Sequence, residues 1–302
     1  MMSKTVALAK KLGLVRYRNL DGSSSSERKQ SEAGGGPENL QFLLVLDFES
    51  TCWEEKSFAP AEIIEFPVVL LCLRTGEVLS EFHHYCLPVE NPRLSPFCRN
   101  LTGELSGKST PVSNLVPAGI TQDQVEAGVP LGTCLTLSRS WLREISGEHG
   151  VRVHGDEENN STTASPNATC LTWSDWDLSF CLENECSRKQ LRKPGCLNTW
   201  IDIRAVYKQF YNRRPDGLNG ALREVGLAFE GREHSGISDA RNTGALVWRM
   251  VQAGCRLRIT ATRDERNTAR ANTAYRSLSL QTLLIILRSM VQNILQNFNL
   301  KY

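Results

Sequence analysis

The stretch LLVLDFESTCW, residues 43–53, runs from the apolar residues Leu43 to Leu46 straight into Asp47, Phe48 and Glu49. Along an extended strand, residues i and i+2 share a face. Asp47 and Glu49 therefore project together, and Phe48 turns to the opposite side. Two neighbouring carboxylates repel and raise each other's pKa. A hard divalent cation removes that cost, and Mg²⁺ takes oxygen ligands from one or two carboxylates together with phosphate and water. Taken alone, the pair fits an exposed strand end at least as well as a metal site.

Working outward, the folded region begins at Leu40. The pattern predicts buried strands over 41–47, 63–73 and 77–86, the last two joined by the turn signal RTGE. Three strands in succession are expected to pair antiparallel. Pro67 has no N–H to donate, which places the second strand at an edge or a bulge. Leu135, Leu142 and Ile145 recur at helical spacing and predict a helix over 131–145. The polar run GDEENNSTTASPN marks an exposed loop over 147–168. A fourth strand follows at 170–173, then helices at 177–186, 203–211, 218–225 and 239–251. Strands first, then alternating helix and strand, indicate an α/β fold: a mixed sheet flanked by helices.

The rest of the 302-residue chain is less patterned. Residues 1–39 hold a basic piece, LAKKLGLVRYR, then the Gly/Ser-rich GSSSSERKQSEAGGGPE, and are expected to stay unfolded. The absence of an acid before Asp21 gives this leader a faint resemblance to a transit peptide. Residues 104–119 are rich in Ser, Pro and Gly and read as a loop insert. Residues 260–302 form a divergent tail with an amphipathic helix expected over 278–298. The 35 Lys and Arg against 33 Asp and Glu leave a net charge of +2, so nucleic-acid binding must use a local patch. The basic runs SRKQLRK (187–193) and RR (213–214) are candidate phosphate contacts, although such runs usually form a solvated face. The ten cysteines show no metal-finger spacing and read as reduced thiols of an intracellular protein, cytoplasmic or nuclear. No signal peptide precedes the sequons at Asn159, Asn160 and Asn167, and no apolar run reaches membrane-spanning length, so no membrane partner is expected.

Further acids fall in settings like that of Asp47. TWSDWDL places Asp175 and Asp177 just past the fourth strand, at a helix start. Asp175 is the better helix cap and Asp177 the better ligand. In GREHSGISDARN, His234 precedes Asp239 near the start of an apolar helix. Gly236 gives that loop freedom to hold the imidazole apart from the carboxylate, and Ser238 is a helix-capping residue. A histidine tied to an acid by this spacing is a candidate general base.

Together DFESTCW, EIIEFPVVLL, PFCRNLTG, ITQDQVEAG, SDWDL, WIDIR and EHSGISDARN resemble the DEDDh 3′–5′ exonucleases. The likeness is to the exoribonuclease branch that includes the histone-mRNA 3′-end exonuclease, and within it to the group of the second vertebrate paralogue. It runs from about Leu40 to Ile259, which sets an exonuclease domain at 40–259. The resemblance implies a ribonuclease H-like fold in which Asp47, Glu49, Asp177 and Asp239 hold two Mg²⁺ ions, with Mn²⁺ able to substitute. It implies that Glu49 and His234 are catalytic, and that Glu49, Ser50 and His234 contact the nucleotide. The implied partner is the 3′ end of single-stranded or structured RNA, released as nucleoside 5′-monophosphates. The 104–119 insert, the SD at 238–239 where relatives carry DD, and the tail depart from the family. Insert and tail point to a variant transcript product. Two rivals remain at this stage: a non-catalytic nucleic-acid- or protein-binding module whose cleft the insert disrupts, and a DNA 3′–5′ exonuclease.

Overall fold

The structure, a computed structural model, describes residues 40–54, 59–101, 119–156 and 164–263. The expectations for the 1–39 leader, for most of the 104–119 insert and for the 278–298 helix lie outside the described residues.

A seven-stranded mixed sheet organises the chain. β1 (Phe42–Leu46) and β2 (Glu49–Ser50) follow one line, and both pair antiparallel with β3 (Ile63–Cys72). β4 (Val78–Tyr85) pairs antiparallel with the far side of β3. On the other side of β1, β5 (Ala168–Thr172) and then β6 (Thr199–Asp202) run parallel to it, and β7 (Ala261–Thr262) is antiparallel to β6. The three antiparallel strands and the parallel strands expected from the sequence are present. β2, β6 and β7 are additional. Each is four residues or shorter, too short to show alternation.

β1 is buried throughout, and its register sorts its side chains to two faces. Leu44, Leu46 and Phe48 join Phe66, Val68 and Leu70 in one core. Leu43 and Val45 join Val69 and Leu71 in another. Each such burial contributes about 1.5–3 kcal/mol. Both faces are covered, which is why β1 reads as a continuous apolar run rather than an alternating one.

The helices divide between these faces. Two short ones, α1 (Pro96–Leu101) and α2 (Gln122–Glu126), precede α3 (Leu131–His149). Leu131, Cys134, Leu135, Ser138, Trp141, Leu142 and Ile145 form the buried stripe of α3, and its Trp141 indole donates to Ser80 Oγ of β4 at 2.9 Å. The stripe ends at Ile145 as expected, and the helix continues four residues beyond it to a stop at Gly150 in the left-handed region (φ 65°). The 147–168 segment is therefore only partly a free loop. Its described ends fold back on β5: His154 N–H donates to Ala168 O, and Asn167 N–H to Arg152 O. Asn167 is buried, its amide on Gly150 O.

After β5 the chain makes a π-helix, Trp176–Cys181, that passes into α4 (Leu182–Lys189). The expected single helix over 177–186 is thus two joined segments. α5 (Ile203–Tyr211), α6 (Gly217–Glu224) and α7 (Gly236–Gln252) cover the opposite face. α7 starts three residues earlier than its pattern indicated, because Gly236 and Ser238 hide the first turn from an apolar count.

Pro67 corrects one expectation. β3 has neighbours on both sides, so Pro67 is not at an edge. It stands between the Leu46–Val68 and Glu49–Glu65 pairs, where the ladder lapses at Asp47 and Phe48. A residue without an N–H fits that gap. Likewise the 187–193 basic run is largely occupied inside the fold. Lys189 Nζ lies 2.7 Å from Glu62 and 2.5 Å from Glu185, Lys193 Nζ donates to Leu178 O at 2.7 Å, and Arg188 reaches Glu90 at 3.3 Å.

Beyond the insert, the chain regains its place. Thr121 and Gln124 form a reciprocal capping box at the start of α2, and Gln124 donates to the Tyr85 hydroxyl of β4 at 2.9 Å. Ile120 and Val125 pack with Ile64, Leu94 and Cys98 in a small third core. Ile120 is 1% exposed. Ile120→Ala is expected to cost about 2–4 kcal/mol, read as a lower urea midpoint at unchanged slope. A change near zero would mean that α2 is not seated there.

Candidate active site

The ladder gap opposite Pro67 exposes the backbone at the end of β1, and three elements converge on it. The Phe48 N–H, freed from the sheet, donates to Asp177 Oδ1 at 2.9 Å across 129 residues of sequence. This bond places Asp177, 3% exposed in the first turn of the π-helix, beside Asp47 and Glu49. From the other side α7 approaches end-on. A Cβ on Gly236 would lie 2.4 Å from Asp47 O. Gly236 is thus required by close approach and not, as its loop setting indicated, by freedom of the backbone. Asp239 lies one turn into α7 and takes the His234 backbone N–H on its carboxylate.

The electrostatics follow from this crowding. Burial, then Asp177, Asp239, Glu49 and Glu65, hold the Asp47 carboxyl well above its ordinary range. Glu49 is raised in the same way by burial, Asp239, Glu65 and Asp177. Burial pushes Asp177 up to about 7 against the opposing Phe48 N–H. Burial and Glu65 push Asp239 up to about 7, with the His234 N–H and Arg232 opposing. The four acids named from the sequence are therefore gathered into one interacting group. They do not close into a finished ligand shell: among the described residues, no three Asp, Glu, His or Cys side chains are close enough to hold an ion as they stand. Mutual repulsion opposes closer approach. As a donor set, carboxylate oxygens in mutual repulsion fit a hard divalent cation.

The other predicted residues are placed less simply. Phe48 turns away as expected and packs on Phe66 at 4.5 Å between ring centroids. Ser50 is buried, its hydroxyl on Thr51 O at 3.5 Å. His234 is exposed and holds a left-handed backbone (φ 59°), uncommon for a residue with a Cβ. Asn242 secures the loop that carries it: its side chain accepts from Glu230 N–H at 2.9 Å and donates to Glu230 O and Ser238 O. Ser238 sits inside α7 and does not cap it. Asp175 occupies an N-cap position, but its carboxylate accepts the Trp200 indole N–H at 2.8 Å instead of a helix amide.

Two residues escaped the sequence reading. Trp176, beside Asp177, is 40% exposed with Phe180 next to it, the rings 6.4 Å apart. Large exposed aromatics offer stacking faces to nucleobases. The signal lies in TWSDWDL, where the second tryptophan adjoins Asp177. Glu65 is the second, buried at 1% among apolar neighbours of β3.

The exonuclease profile of the RNase_T family matches residues 44–110. The chain is 48% identical over 260 residues to ERI1 exoribonuclease 2 of Danio rerio, covering 85% of this chain and 42% of that protein. It is 38% identical over 282 residues to the 3′-5′ exonuclease Snipper of Drosophila melanogaster, covering 84% and 94%. Among solved structures, the nuclease domain of 3′hExo, a DEDDh family member bound to rAMP, superposes with a TM-score of 0.61 at 31% identity, covering 75% of this chain and 99% of that one. The chain belongs to the DEDDh exonuclease family. It spans 34–42% of the length of the ERI1 exoribonuclease 2 proteins that it matches. Exonucleases of this family use divalent metal ions. Among the described residues, no helix is long and apolar enough to cross a membrane.

The raised carboxyls predict a pH dependence. An acid whose folded pKa lies above its unfolded value favours folding while protonated. That contribution is whole below the ordinary value of 3.8 and is lost as pH rises through about 7. With divalent ions chelated, the urea midpoint should fall between about pH 5 and pH 8. Asp177→Asn should flatten the fall, and Mn²⁺ at the higher pH should restore the midpoint. A wild-type midpoint no more pH-sensitive than that of Asp177→Asn would contradict the clustering.

Proposed function

We propose that this chain is a metal-dependent 3′–5′ exoribonuclease that releases nucleoside 5′-monophosphates from the 3′ end of single-stranded or structured RNA. The observation that carries the reading is the gathering of Asp47, Glu49, Asp177 and Asp239 at the gap in the β1 ladder. Asp47, Glu49, Asp177 and Asp239 would hold two Mg²⁺ ions, or Mn²⁺ in their place. When bound, the ions supply positive charge against the scissile phosphate and the leaving 3′-oxygen.

The chain's own groups do the rest. His234, on an exposed loop beside Asp239, takes the proton of the attacking water on its imidazole. Asn242 and the His234 N–H bond to Asp239 keep that loop in register with the acids. Glu49 contacts both the metal and the terminal nucleotide, with Ser50 next to it. Trp176 provides a stacking face for a base at the rim. Preference for RNA draws support from the exoribonuclease relatives and from the rAMP held by the solved nuclease domain. The 2′-hydroxyl is the chemical feature to be read. The chain also forms one exonuclease domain that starts at about residue 40 and runs past the expected end at 259, because β7 (Ala261–Thr262) of the expected 260–302 tail pairs with β6.

The test is trimming of 5′-labelled RNA and DNA oligonucleotides with Mg²⁺, Mn²⁺ or EDTA. RNA should shorten from its 3′ end with either ion and not with EDTA. Asp47→Ala, Asp239→Ala and His234→Ala should each lower the rate at least about 100-fold. Full activity in Asp239→Ala would sink the assignment, preferential DNA trimming would replace the substrate, and binding without trimming would make the chain a binding module. In the same assay Trp176→Ala should raise KM several-fold, with each lost stacking contact worth about 1–3 kcal/mol. An unchanged KM would remove Trp176 from the substrate path.

A further inference from the structure

Glu65 lies inside the most apolar strand of the sheet and is 1% exposed. Nothing in its own strand accounts for a carboxylate there. Both of its oxygens are engaged across the sheet face. Oε2 accepts the Gly236 N–H at 2.9 Å, while Oε1 accepts the Ile237 N–H at 3.1 Å and lies 2.8 Å from His83 Nε2.

Gly236 and Ile237 open α7, whose first amides have no acceptor within the helix and carry the positive end of its dipole. A Ser or Asp at the N-cap normally answers them. Here Ser235 holds the N-cap position and makes no side-chain capping bond. The cap comes instead from β3, 171 residues earlier in the chain. Charge-assisted bonds of this kind are the stronger sort.

A cap reaching from the sheet does more than satisfy amides. Glu65 is the antiparallel partner of Glu49, so the two side chains stand on one face. The start of α7 is held between this carboxylate and the Asp47 backbone, with no space for a Cβ on Gly236: one would lie 3.3 Å from Glu65 Oε2. His234 stands two residues before that clamp and Asp239 three residues after it. With both oxygens occupied, Glu65 is not itself placed to be a metal ligand.

We propose that Glu65 is the positioning residue of the active site: it sets His234 and Asp239 against Asp47 and Glu49, and His83 holds its Oε1 in place. This deepens the exoribonuclease reading and rests on it. Glu65→Gln keeps the size of the side chain, but puts an NH₂ donor where an acceptor faces α7. One helix amide is then left facing another donor, and the helix start must shift. Displacements of about 1 Å cost on the order of 100-fold in rate.

The experiment uses the full chain and measures three things on wild type and Glu65→Gln. These are the urea midpoint, the Mn²⁺ dissociation constant by calorimetry without RNA, and kcat and KM for a 5′-labelled RNA. The expected result for Glu65→Gln is a folded protein with KM within about threefold of wild type, kcat lowered about 10–100-fold and Mn²⁺ bound about tenfold more weakly. A variant that loses stability alone, with Mn²⁺ affinity and kcat unchanged, overturns the proposal. If Glu65→Gln does not fold, His83→Ala carries the test, since both amide bonds survive in it and only the support of Oε1 is lost. It should weaken Mn²⁺ binding and lower kcat about threefold or more, and unchanged values overturn the proposal. A wild-type chain that binds Mn²⁺ but trims no RNA refutes the exoribonuclease reading, and the Mn²⁺ measurements then decide on Glu65 by themselves. A wild-type chain that does neither overturns both.

Discussion

Like charges held close together are the constraint on which this molecule turns. Asp47, Glu49, Asp177 and Asp239 raise one another's pKa, and partial burial deepens the cost. Side chains free to choose would separate. What prevents it is backbone: the Phe48 N–H on Asp177, the His234 N–H on Asp239, and the start of α7 pressed against the Asp47 carbonyl. Each is a donor or a close approach that the sheet alone does not supply. The Phe48 N–H faces the β5 side of the strand, and it is free because the β1–β5 ladder ends at the Leu46–Thr172 pair. The early end of β5 is thus the condition for an acid from the following element to dock.

The two covered faces of β1 explain why the acids can be brought from so far apart. A strand buried on both sides is fixed in register by two independent cores. The π-helix and α7 are then anchored to opposite faces of the same few residues. α7 packs on this face through Ile237, Ala240, Leu246, Val247 and Met250, in one core with Leu43, Val45, Val69 and Leu71. That packing delivers its first turn to the lip of β1.

Much of this was legible in the sequence, and the rest was hidden for definable reasons. The acids stood out because they interrupt apolar runs, and α3 because its stripe is long. Glu65 did not stand out. A single acid within IIEFPVVLL, a segment expected to be a buried strand, carries no local sign of its role, and its partners lie 171 and 172 residues away. Gly236 was noticed for the wrong reason, since flexibility and close approach leave the same residue in the sequence. Lys189 and Lys193 looked like phosphate contacts because a basic run does not reveal the buried Glu62 and Glu185 and the partly exposed Glu183 that take them up. β2, β6 and β7 exist only as partners of longer strands, so no local pattern encodes them.

The insert is where sequence and structure meet most directly. Extra residues between α1 and α2 raised the prospect of a cleft pushed apart. Yet Cys98 of α1 and Ile120 and Val125 beside α2 share one small core with Ile64 of β3. Both flanks of the insert are therefore fixed independently of what lies between them. Closing a longer loop between fixed ends costs little, about 0.6 kcal/mol for each doubling of length. None of the four acids comes from this part of the chain. The contact of Cys98 Sγ with Ser50 O keeps the α1 flank against the strand that carries Glu49. The insert can thus change how a substrate approaches the acids, while their gathering depends on the β1 lip, the π-helix and α7.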